Sequence, residues 1–374
     1  AIFGVACVIV GELSSTVDNF FRSETLKKAN DRISNATAKL PIFKHYSLEK
    51  DLIHSSSDGQ KFGTQIDTFN SRYSPKYFGM SKGISNCSVI ANNVPINARV
   101  IGANDHESHF IYDLLQNNTS EIIPDRHSTD SHGINHVNFI ILYLFGYVFA
   151  PRFKKLSKKA QTLYGFQSPK NYDGLILRPS KKVNVDLIKD ESHNIEKIIL
   201  SLALKSSTQS TIVRKLSSYK RQNRTKKALW ELDNIIRTLY ILDYIDSRDL
   251  RINVQRALNR GEAYNRLRKA IFYANFGKFR VRTQLEQHLW SECTRLIANA
   301  IIFYNSFVLS QLLERMESSG RIQEAEMVKL VSPIAWQHIN LYGSYEFPRG
   351  SSIDIDQVMR ELELKHVWNQ AIAN

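Results

Sequence analysis

The chain has 374 residues, with 50 Lys and Arg against 36 Asp and Glu, which gives a formal charge of +14. Apolar residues make up 43% and aromatic residues 10%, a composition that can fill a core and excludes a disordered polyelectrolyte. The positive charge indicates a polyanionic partner, either nucleic acid or an acidic membrane surface. Three widely separated cysteines exclude a disulfide framework, a CxxC redox site and a four-thiolate zinc site: Cys7, Cys87 and Cys293.

Two apolar runs bear on membrane association. Residues 1–10 and 139–149 are both too short to cross a bilayer as a helix. No basic segment precedes the first run, as a signal peptide would require. We therefore expect a cytoplasmic protein with no membrane partner.

Helical and extended patterns alternate through the first half of the chain. Within residues 12–50, Val17, Phe20 and Leu26 fall roughly on one face of a helix, and Pro41 is expected to end that region. From residue 55 to 103, bulky and polar residues mix at short range, which is typical of β structure.

Two strands joined by a tight turn are predicted near residue 92. After the pair Asn92 and Asn93, a period of two is carried by Val94, Ile96, Ala98 and Val100. Asparagine tolerates the backbone conformation that a two-residue hairpin turn needs. Because Pro95 cannot donate a hydrogen bond to a neighbouring strand, we expect its strand at an edge of the sheet or Pro95 at the start of that strand.

A helix is predicted over residues 106–117, followed within 121–130 by a short strand with Ile122 and Ile123 that leads to a loop. A buried helix from Asn138 to Leu144 and a strand over 147–149 are predicted next. Three strands, a helix, a strand and a helix is the element order of an RNase H-like core. We therefore predict an α/β fold with a mixed sheet.

Residues 186–340 are predicted to be almost entirely helical, because apolar residues recur there at helical spacing, and residues 348–374 predict one more helix. We expect the core to be interrupted by a largely helical insertion and to have helical flanks. The predicted parts are a helical lead-in at 1–50, the first part of the core at 51–180, the insertion at 181–250, the remainder of the core at 251–300 and a helical region at 301–374.

The positive charge is concentrated in one segment. Residues 205–282 contain 19 basic and 6 acidic residues, a net charge of +13 in 78 residues. Such a segment favours contact with a phosphate backbone, although a solvated helical face is the simpler alternative. Tyr219 and Trp230 could stack on bases, but we expect Trp230 to pack in the core. The basic candidates for DNA contact are Arg214, Lys215, Lys220, Arg221, Arg224, Lys226, Lys227, Arg260 and Arg266.

Three acidic residues in distinct contexts are candidates for metal-dependent chemistry. Asp58 begins a predicted strand, Asp130 follows another, and Glu262 lies in a helical segment where it could simply pair with Arg266. Cleavage of a phosphodiester by a two-metal mechanism needs several carboxylates converging on two Mg²⁺ ions about 4 Å apart. Mg²⁺ prefers oxygen ligands, so Asp and Glu suffice without His or Cys.

These residues lie in motifs that resemble the Tn-three family of replicative DDE transposases, in order from about residue 36 to 348. The first motif is Ser-Asp-Gly-Gln, the second Thr-Asp-x-x-Gly with a later Pro-Arg, and the third Asn-Arg-Gly-Glu followed by Phe-x-Ala-Asn-x-Gly-x-Phe. They are matched by Ser57, Asp58, Gly59 and Gln60; by Thr129, Asp130, Gly133, Pro151 and Arg152; and by Asn259, Arg260, Gly261, Glu262, Phe272, Ala274, Asn275, Gly277 and Phe279.

The resemblance implies that Asp58, Asp130 and Glu262 form the catalytic triad and hold two Mg²⁺ ions, for which Mn²⁺ could substitute. It also implies an RNase H-like core, cleavage at the 3′ ends of a transposon and strand transfer into target DNA. The expected partner is double-stranded DNA, as terminal inverted repeats and as target. Family members are longer, so we expect this chain to be the C-terminal part of a protein that acts as a homodimer.

Other interpretations of the same residues remain open. A related module that binds or regulates at DNA without catalysis would share the basic segment. His127, His132 and Asn259 are candidate neighbours of the active site; the histidines at 106, 109, 127, 132 and 136 fit no common zinc-ligand spacing. A serine nucleophile beside His54 would define a different enzyme, but serines at strand ends are usually structural.

Overall fold

A computed structural model describes residues 23–218, 223–273, 277–341 and 356–361. The predicted helical face of Val17 and Phe20 lies outside these residues, as do Tyr219, Lys220, Arg221 and most of the predicted C-terminal helix. Residues 356–361 of that tail are helical.

Seven of nine described strands form one mixed sheet, and β7 and β8 form a separate parallel pair. The strands are β1 (His54–Thr64), β2 (Arg72–Tyr73), β3 (Lys82–Ala91), β4 (Val94–Gly102), β5 (Arg126–Ser128), β6 (Val148–Phe149), β7 (Tyr164–Gly165), β8 (Lys181–Lys182) and β9 (Lys278–Phe279). The long strand β1 is central: it runs antiparallel to β3, parallel to β5 at its start and parallel to β9 at its end. Beyond β3 lie β4 and β2, and beyond β5 lies β6.

The described helices of known bounds are α1 (Ser23–Ala38), α2 (Pro41–His45), α3 (Pro75–Phe78), α4 (Ile111–Gln116), α5 (Asn138–Leu144), α6 (Leu156–Ala160), α7 (Val185–Asp190), α8 (Ser192–Ala203), α9 (Gln209–Ser218), α10 (Arg224–Asp246), α11 (Arg248–Tyr273), α12 (Gln284–Ser318) and α13 (Ile322–Lys329). Short 3₁₀ turns at Glu107–His109, Ser131–Gly133 and Pro169–Tyr172 complete the set. The long helical stretch predicted after residue 186 is confirmed.

The predicted hairpin is confirmed as β3 and β4. Asn92 and Asn93 have φ angles of 43° and 72°, the left-handed pair that a type I′ turn requires. Pro95 pairs with Ile90 beside a register shift, and within the described chain β4 pairs only with β3. The prediction of an edge position is therefore confirmed, and the missing N–H of the proline costs no ladder hydrogen bond.

Two sequence-based boundaries were wrong. The strand predicted at Ile122 and Ile123 lies instead at Arg126–Ser128, because Pro124 lacks an N–H and restricts Ile123 before it. Ile123 is exposed and Ile122 is buried ahead of the strand. Pro41 does not simply end the first helical region; it occupies the first turn of α2, where its missing N–H needs no partner.

Alternate residues of the sheet face different helices. On one face, Asn86 of β3 donates to Ser291 of α12, and Ser56 of β1 donates to the Ala257 carbonyl of α11. On the other face, Asn97 of β4 donates to the Leu114 carbonyl of α4. The sheet is therefore covered on both sides, and side chains that alternate along β1 and β3 enter two different environments.

The 35-residue helix α12 is the one described helix whose length and composition would suit a membrane span. In this structure 56% of its most apolar window is buried, against α1, β4 and α13 among others, which is how the core helix of a globular domain behaves.

The helix α12 is continuous across residue 300, so the boundary predicted between residues 300 and 301 divides one element. The other predicted limits stay predictions.

A fully buried carboxylate connects α10 to the start of α5. One oxygen of Asp233 accepts a hydrogen bond from the backbone N–H of Ile140 at 3.1 Å, and the other oxygen has no hydrogen-bond partner in the described part of the chain. Burial raises the pKa of Asp233 to about 7, although the N–H donors and Arg237 oppose the rise. The carboxylate is thus poorly compensated when it ionises.

We predict that Asp233 makes the fold less stable as pH rises. Because its pKa is higher in the folded than in the unfolded chain, the folded state holds the extra proton between about pH 4 and pH 7. Relative to Asp233→Asn, the wild-type free energy of unfolding should fall by at least about 1 kcal/mol across that range, since one pKa unit corresponds to about 1.4 kcal/mol. Denaturant titrations at several pH values measure it. Asp243→Asn, an exposed change on the same helix, is the control; parallel profiles for wild type and Asp233→Asn would contradict the prediction.

Candidate active site

The register of two parallel strands places two aspartates side by side. Ser56 of β1 is paired with Ser128, the last residue of β5. Asp58 lies two residues further along β1, and Asp130 lies two residues beyond the end of β5, so both aspartates are at the same end of this strand pair. Both aspartates line one narrow cleft, together with Ser57, Cys87, Glu107, Ile111, Leu114, Thr129 and Gly133.

Hydrogen bonds fix both carboxylates. Asp58 accepts from the Asn265 side-chain amide at 2.8 Å, which ties β1 to helix α11. Asp130 caps the 3₁₀ turn that follows β5, accepting from the backbone N–H groups of His132 and Gly133 at 2.8 and 3.3 Å. The His132 ring lies 2.8 Å from the second oxygen of Asp130. Each aspartate is thus oriented by hydrogen-bond donors, from helix α11 for Asp58 and from the 3₁₀ turn for Asp130.

The environments of the two aspartates shift their pKa values in opposite directions. The tip of Asp58 reaches solvent, but the cleft removes part of its hydration; this burial raises the pKa of Asp58, and the negative charges of Glu107 and Asp130 raise it further. Burial acts the same way on Asp130, but the hydrogen bonds from His132 and Gly133 outweigh it and lower the pKa. A bound cation would relieve the repulsion that Asp58 experiences.

Glu262 lies on α11, exposed, one turn before Asn265. In the part of the chain that the structure describes, no three His, Cys, Asp or Glu side chains are grouped closely enough to hold a metal ion. The structure therefore brings Asp58 and Asp130 together, while Glu262 sits on the adjoining helix outside such a group.

The donor set of the cleft nevertheless fits a hard divalent cation. Its polar lining consists of carboxylate and hydroxyl oxygens, apart from the buried Cys87 thiol, whose pKa is raised well above its usual value by burial, followed by the charge of Glu107. Thr129 is only 2% exposed, and its hydroxyl has no hydrogen-bond partner among the described residues. Oxygen donors of this kind suit Mg²⁺ and Mn²⁺.

Residues that the motifs did not reveal support this site. The buried guanidinium of Arg268 donates to Gln60, Ser88 and Asn265, so it orients the amide that holds Asp58. Arg268 is 1% exposed, and a count of basic residues cannot distinguish it from a DNA-contacting arginine. The sequence contains one indication that the two residues interact: Asn265 and Arg268 are three positions apart and therefore lie on the same face of α11.

The histidines near the second aspartate differ in role. His127 is completely buried inside β5, with its ring nitrogens 2.8 and 2.9 Å from the hydroxyls of Ser55 and Ser57. Burial lowers its pKa to about 3, so His127 is neutral and joins β5 to β1. The two serines are held in the sheet, while His132 is exposed beside Asp130.

Asn259 is linked to the end of β5 through a short chain of contacts. Its side-chain oxygen accepts from Gln255 at 2.7 Å, and Gln255 in turn accepts from Arg152 at 2.9 Å. The backbone N–H of Arg152 donates to the carbonyl of Thr129. Residues of the second and third motifs therefore meet at the site.

The basic candidates have several different surroundings. Arg214 pairs with Asp105 at 2.9 Å, and Arg224 pairs with Asp190 and Glu191. Arg260 donates to the Tyr46 carbonyl at 2.7 Å and is turned toward the protein. Lys226 lies over the ring of Trp230, which packs against the core as expected. Among the residues that the structure describes, the exposed candidates without such a contact to an acidic group are Lys215, Lys227 and Arg266.

Comparison with known proteins agrees with this arrangement. A family model described as "Tn3 transposase DDE domain" matches residues 5–345. The chain is 32% identical over 327 residues to the transposase for transposon Tn3926 of Escherichia coli. The aligned segment covers 87% of this chain and 32% of that transposase. It is 30% identical over 340 residues to the transposase for transposon Tn1546 of Enterococcus faecium, and this alignment covers 89% of this chain and 34% of that transposase.

An aspartate on β1 that shares a cleft with an aspartate just after the adjacent parallel strand β5, within such a match, defines a DDE transposase domain. The chain belongs to the Tn3 transposase DDE domain family, as its motifs predicted. It spans about a third of the length of the curated relatives it matches.

We predict that Asp58→Asn stabilises the protein in the absence of divalent cations. The change removes a charge that burial, Glu107 and Asp130 all disfavour, so the thermal midpoint in EDTA should rise by roughly 2 °C. Added Mg²⁺ should stabilise wild type but not the variant. Differential scanning calorimetry measures both effects, with the exposed change Asp173→Asn as control. A lower midpoint for Asp58→Asn in EDTA would contradict the account.

Proposed function

We propose that this chain is the catalytic region of a DNA transposase that cleaves transposon 3′ ends and joins them to target DNA. The observation that carries the proposal is the cleft that Asp58 and Asp130 line together, in a chain of the Tn3 transposase DDE domain family. The order β4, β3, β1, β5, β6 supports an RNase H-like core, and α7 to α10 would be the helical insertion before α11.

Asp58 and Asp130 would hold two Mg²⁺ ions, or Mn²⁺, with Glu262 completing the set from α11. When bound, these ions supply activation of the attacking oxygen and stabilisation of the leaving oxygen. The oxygen donors of the cleft and the unpartnered Thr129 hydroxyl support this assignment. Asn265 and Arg268 would keep Asp58 in place during the reaction.

Both proposed steps exchange one phosphodiester bond for another bond to phosphorus. In the first, a water oxygen bonds to phosphorus at the transposon end and the bond from phosphorus to the 3′ oxygen breaks. The products are a 3′-hydroxyl and a 5′-phosphate. In the second step that 3′-hydroxyl attacks a target phosphate, and the target strand leaves with its own 3′-hydroxyl, so no external energy source is needed.

The exposed side of α11 would contact the DNA backbone next to the site. Arg256, Arg266 and Lys269 are exposed on the helix that also presents Glu262. With a rise of about 1.5 Å per residue, they flank the carboxylate over about 20 Å of helix. Such contacts position a duplex without reading its sequence.

We propose that the longer protein acts as a homodimer on terminal inverted repeats and target DNA in the bacterial cytoplasm.

Cleavage by the intact protein that carries this chain tests the proposal. With duplex DNA bearing a transposon end, wild type should nick at the 3′ end only when Mg²⁺ or Mn²⁺ is present. Asp58→Ala, Asp130→Ala and Glu262→Ala should reduce nicking to background while retaining DNA binding, and Asp173→Ala should be unaffected. If the three variants cut as well as wild type, the catalytic assignment is wrong. If wild type binds the DNA and never cuts, the alternative of a non-catalytic DNA-binding module is favoured.

The DNA path along α11 predicts a specific salt dependence. Arg266→Ala combined with Lys269→Ala should weaken binding about equally for all DNA sequences. It should also reduce the slope of log affinity against log salt by about 2, because two phosphate contacts are lost. Fluorescence anisotropy across a salt series measures this, with Lys170→Ala at another exposed position as control. An unchanged slope would place the DNA elsewhere.

A further inference from the structure

Large apolar side chains are exposed along residues 65–81, the segment that joins β1 to β3. Phe69, Tyr73 and Tyr77 are 77%, 59% and 52% exposed, and Met80 is 94% exposed. A cluster of exposed apolar side chains commonly marks a binding surface. None of the three sequence motifs includes this segment, and the proposed DNA contacts on α11 do not use it.

Each of the three exposed rings has a cation beside it. The Arg72 guanidinium lies 5.4 Å from the ring centroid of Phe69. Ammonium groups lie 5.1 Å from the other two centroids, Lys82 beside Tyr73 and Lys76 beside Tyr77. Proteins bind single-stranded nucleic acid with this combination, because a ring stacks on an unpaired base while a cation reaches the adjacent phosphate.

The charge of the segment favours nucleic acid over a protein partner. Its one acidic residue, Asp67, is paired with Lys82 at 2.7 Å. Charged residues are depleted at the centre of protein–protein interfaces, whereas here a Lys or Arg accompanies every exposed ring.

Contacts with the sheet and with α12 hold the segment in place. Tyr73 of β2 is paired with Lys82 of β3, and the Thr68 hydroxyl accepts from the Gln287 side chain of α12 at 2.7 Å. Phe78 packs so closely on Gly83 that a Cβ at position 83 would lie 2.3 Å from its ring. The exposed rings are therefore ordered before any ligand binds, which lowers the entropy cost of binding.

A basic cleft continues from Phe69 along β4. Phe69, Asn70 and Arg72 line it, and its volume of about 660 Å³ is that of a pocket for a small ligand, too small to enclose a duplex. The buried side-chain nitrogen of Asn70 is a donor with no hydrogen-bond partner in the described chain. The other basic side chains of the lining are Lys27, Arg99 and Arg214.

The acidic side chains of this cleft are already engaged. Asp105 pairs with Arg214 at 2.9 Å, Asp113 accepts from the backbone N–H of Gln209 at 2.7 Å, and Glu292 pairs with the buried Arg295. Burial lowers the pKa of His288 in the same lining, and the charges of Arg99 and Lys27 lower it further against the opposing charge of Glu292. The cleft is therefore electropositive and suits the phosphates of a single strand.

We propose that Phe69, Tyr73 and Tyr77 bind unpaired bases of a DNA strand whose phosphates enter the basic cleft beside β4. The Lys61 ammonium lies 6.0 Å from the Tyr77 ring centroid, and Lys61 follows Asp58 by three residues on β1, about 10 Å along the strand. The surface therefore begins near the candidate active site. The inference adds a base-stacking surface to the proposed function, and it rests on that function only for the source of the unpaired strand.

Fluorescence anisotropy with the full chain and a labelled oligothymidine of about 15 nucleotides tests the proposal. Phe69→Leu and Tyr73→Leu should each weaken binding about tenfold, because leucine keeps the apolar bulk and cannot stack on a base. Tyr73→Phe should bind as wild type does. Phe166→Leu is the matched control, since Phe166 is 59% exposed and lies outside the segment.

A strand of the same length without bases separates stacking from charge. Wild type should bind this abasic strand more weakly than oligothymidine, and the two leucine variants should bind it as wild type does. Unchanged binding of oligothymidine by both variants, or an equal loss for the abasic strand, overturns the proposal. A dimer seen by light scattering that the variants dissociate, with oligothymidine binding intact, also overturns it and assigns the rings to a second copy of the chain.

The proposed function can fail independently of this surface. If wild type binds oligothymidine through these rings and the intact protein never nicks transposon-end DNA, the base-binding surface is right and the proposed function is wrong. If the intact protein nicks that DNA and oligothymidine binding does not depend on the rings, only the base-binding surface is wrong.

Discussion

The structure of the site depends on the parallel pairing of β1 with β5. Buried polar contacts hold that pairing: His54 lies 2.8 Å from Ser128, and neutral His127 lies between Ser55 and Ser57. Because side chains alternate between the faces of a strand, a slip of one residue would turn an aspartate to the opposite face. These serines and histidines are largely buried, and an unmade hydrogen bond is costly there, which favours a single register. The placement of both carboxylates follows from it.

That placement concentrates negative charge where folding alone would not. Burial and the charges of Glu107 and Asp130 all make ionisation of Asp58 costly. The surrounding structure supplies partial compensation through Asn265, the buried Arg268 and the pair between Lys61 and Glu107. Sites that sacrifice stability for chemistry commonly show this imbalance. In this protein the imbalance is an excess of negative charge, which a bound divalent cation would offset.

Short-range patterns in the sequence were sufficient for much of the fold. The turn at Asn92 and the helix Asn138–Leu144 were found because local backbone preference and hydrophobic periodicity agree there. The motifs marked Asp58 and Asp130, but the register that makes them neighbours comes from buried contacts distant in sequence. Glu107 had no local signal, since only the packed structure shows its carboxylate where a side chain at position 59 would lie. Likewise, the +13 segment includes Arg268, a core residue, so net charge overstated the surface available to DNA.

The most direct measurement is the anomalous diffraction of Mn²⁺ in crystals of the intact protein bound to transposon-end DNA. The account predicts Mn²⁺ density between Asp58 and Asp130, with Glu262 brought into contact from α11 and the scissile phosphate adjacent. Mn²⁺ bound elsewhere, or a DNA complex in which these two aspartates contact no cation, would contradict it.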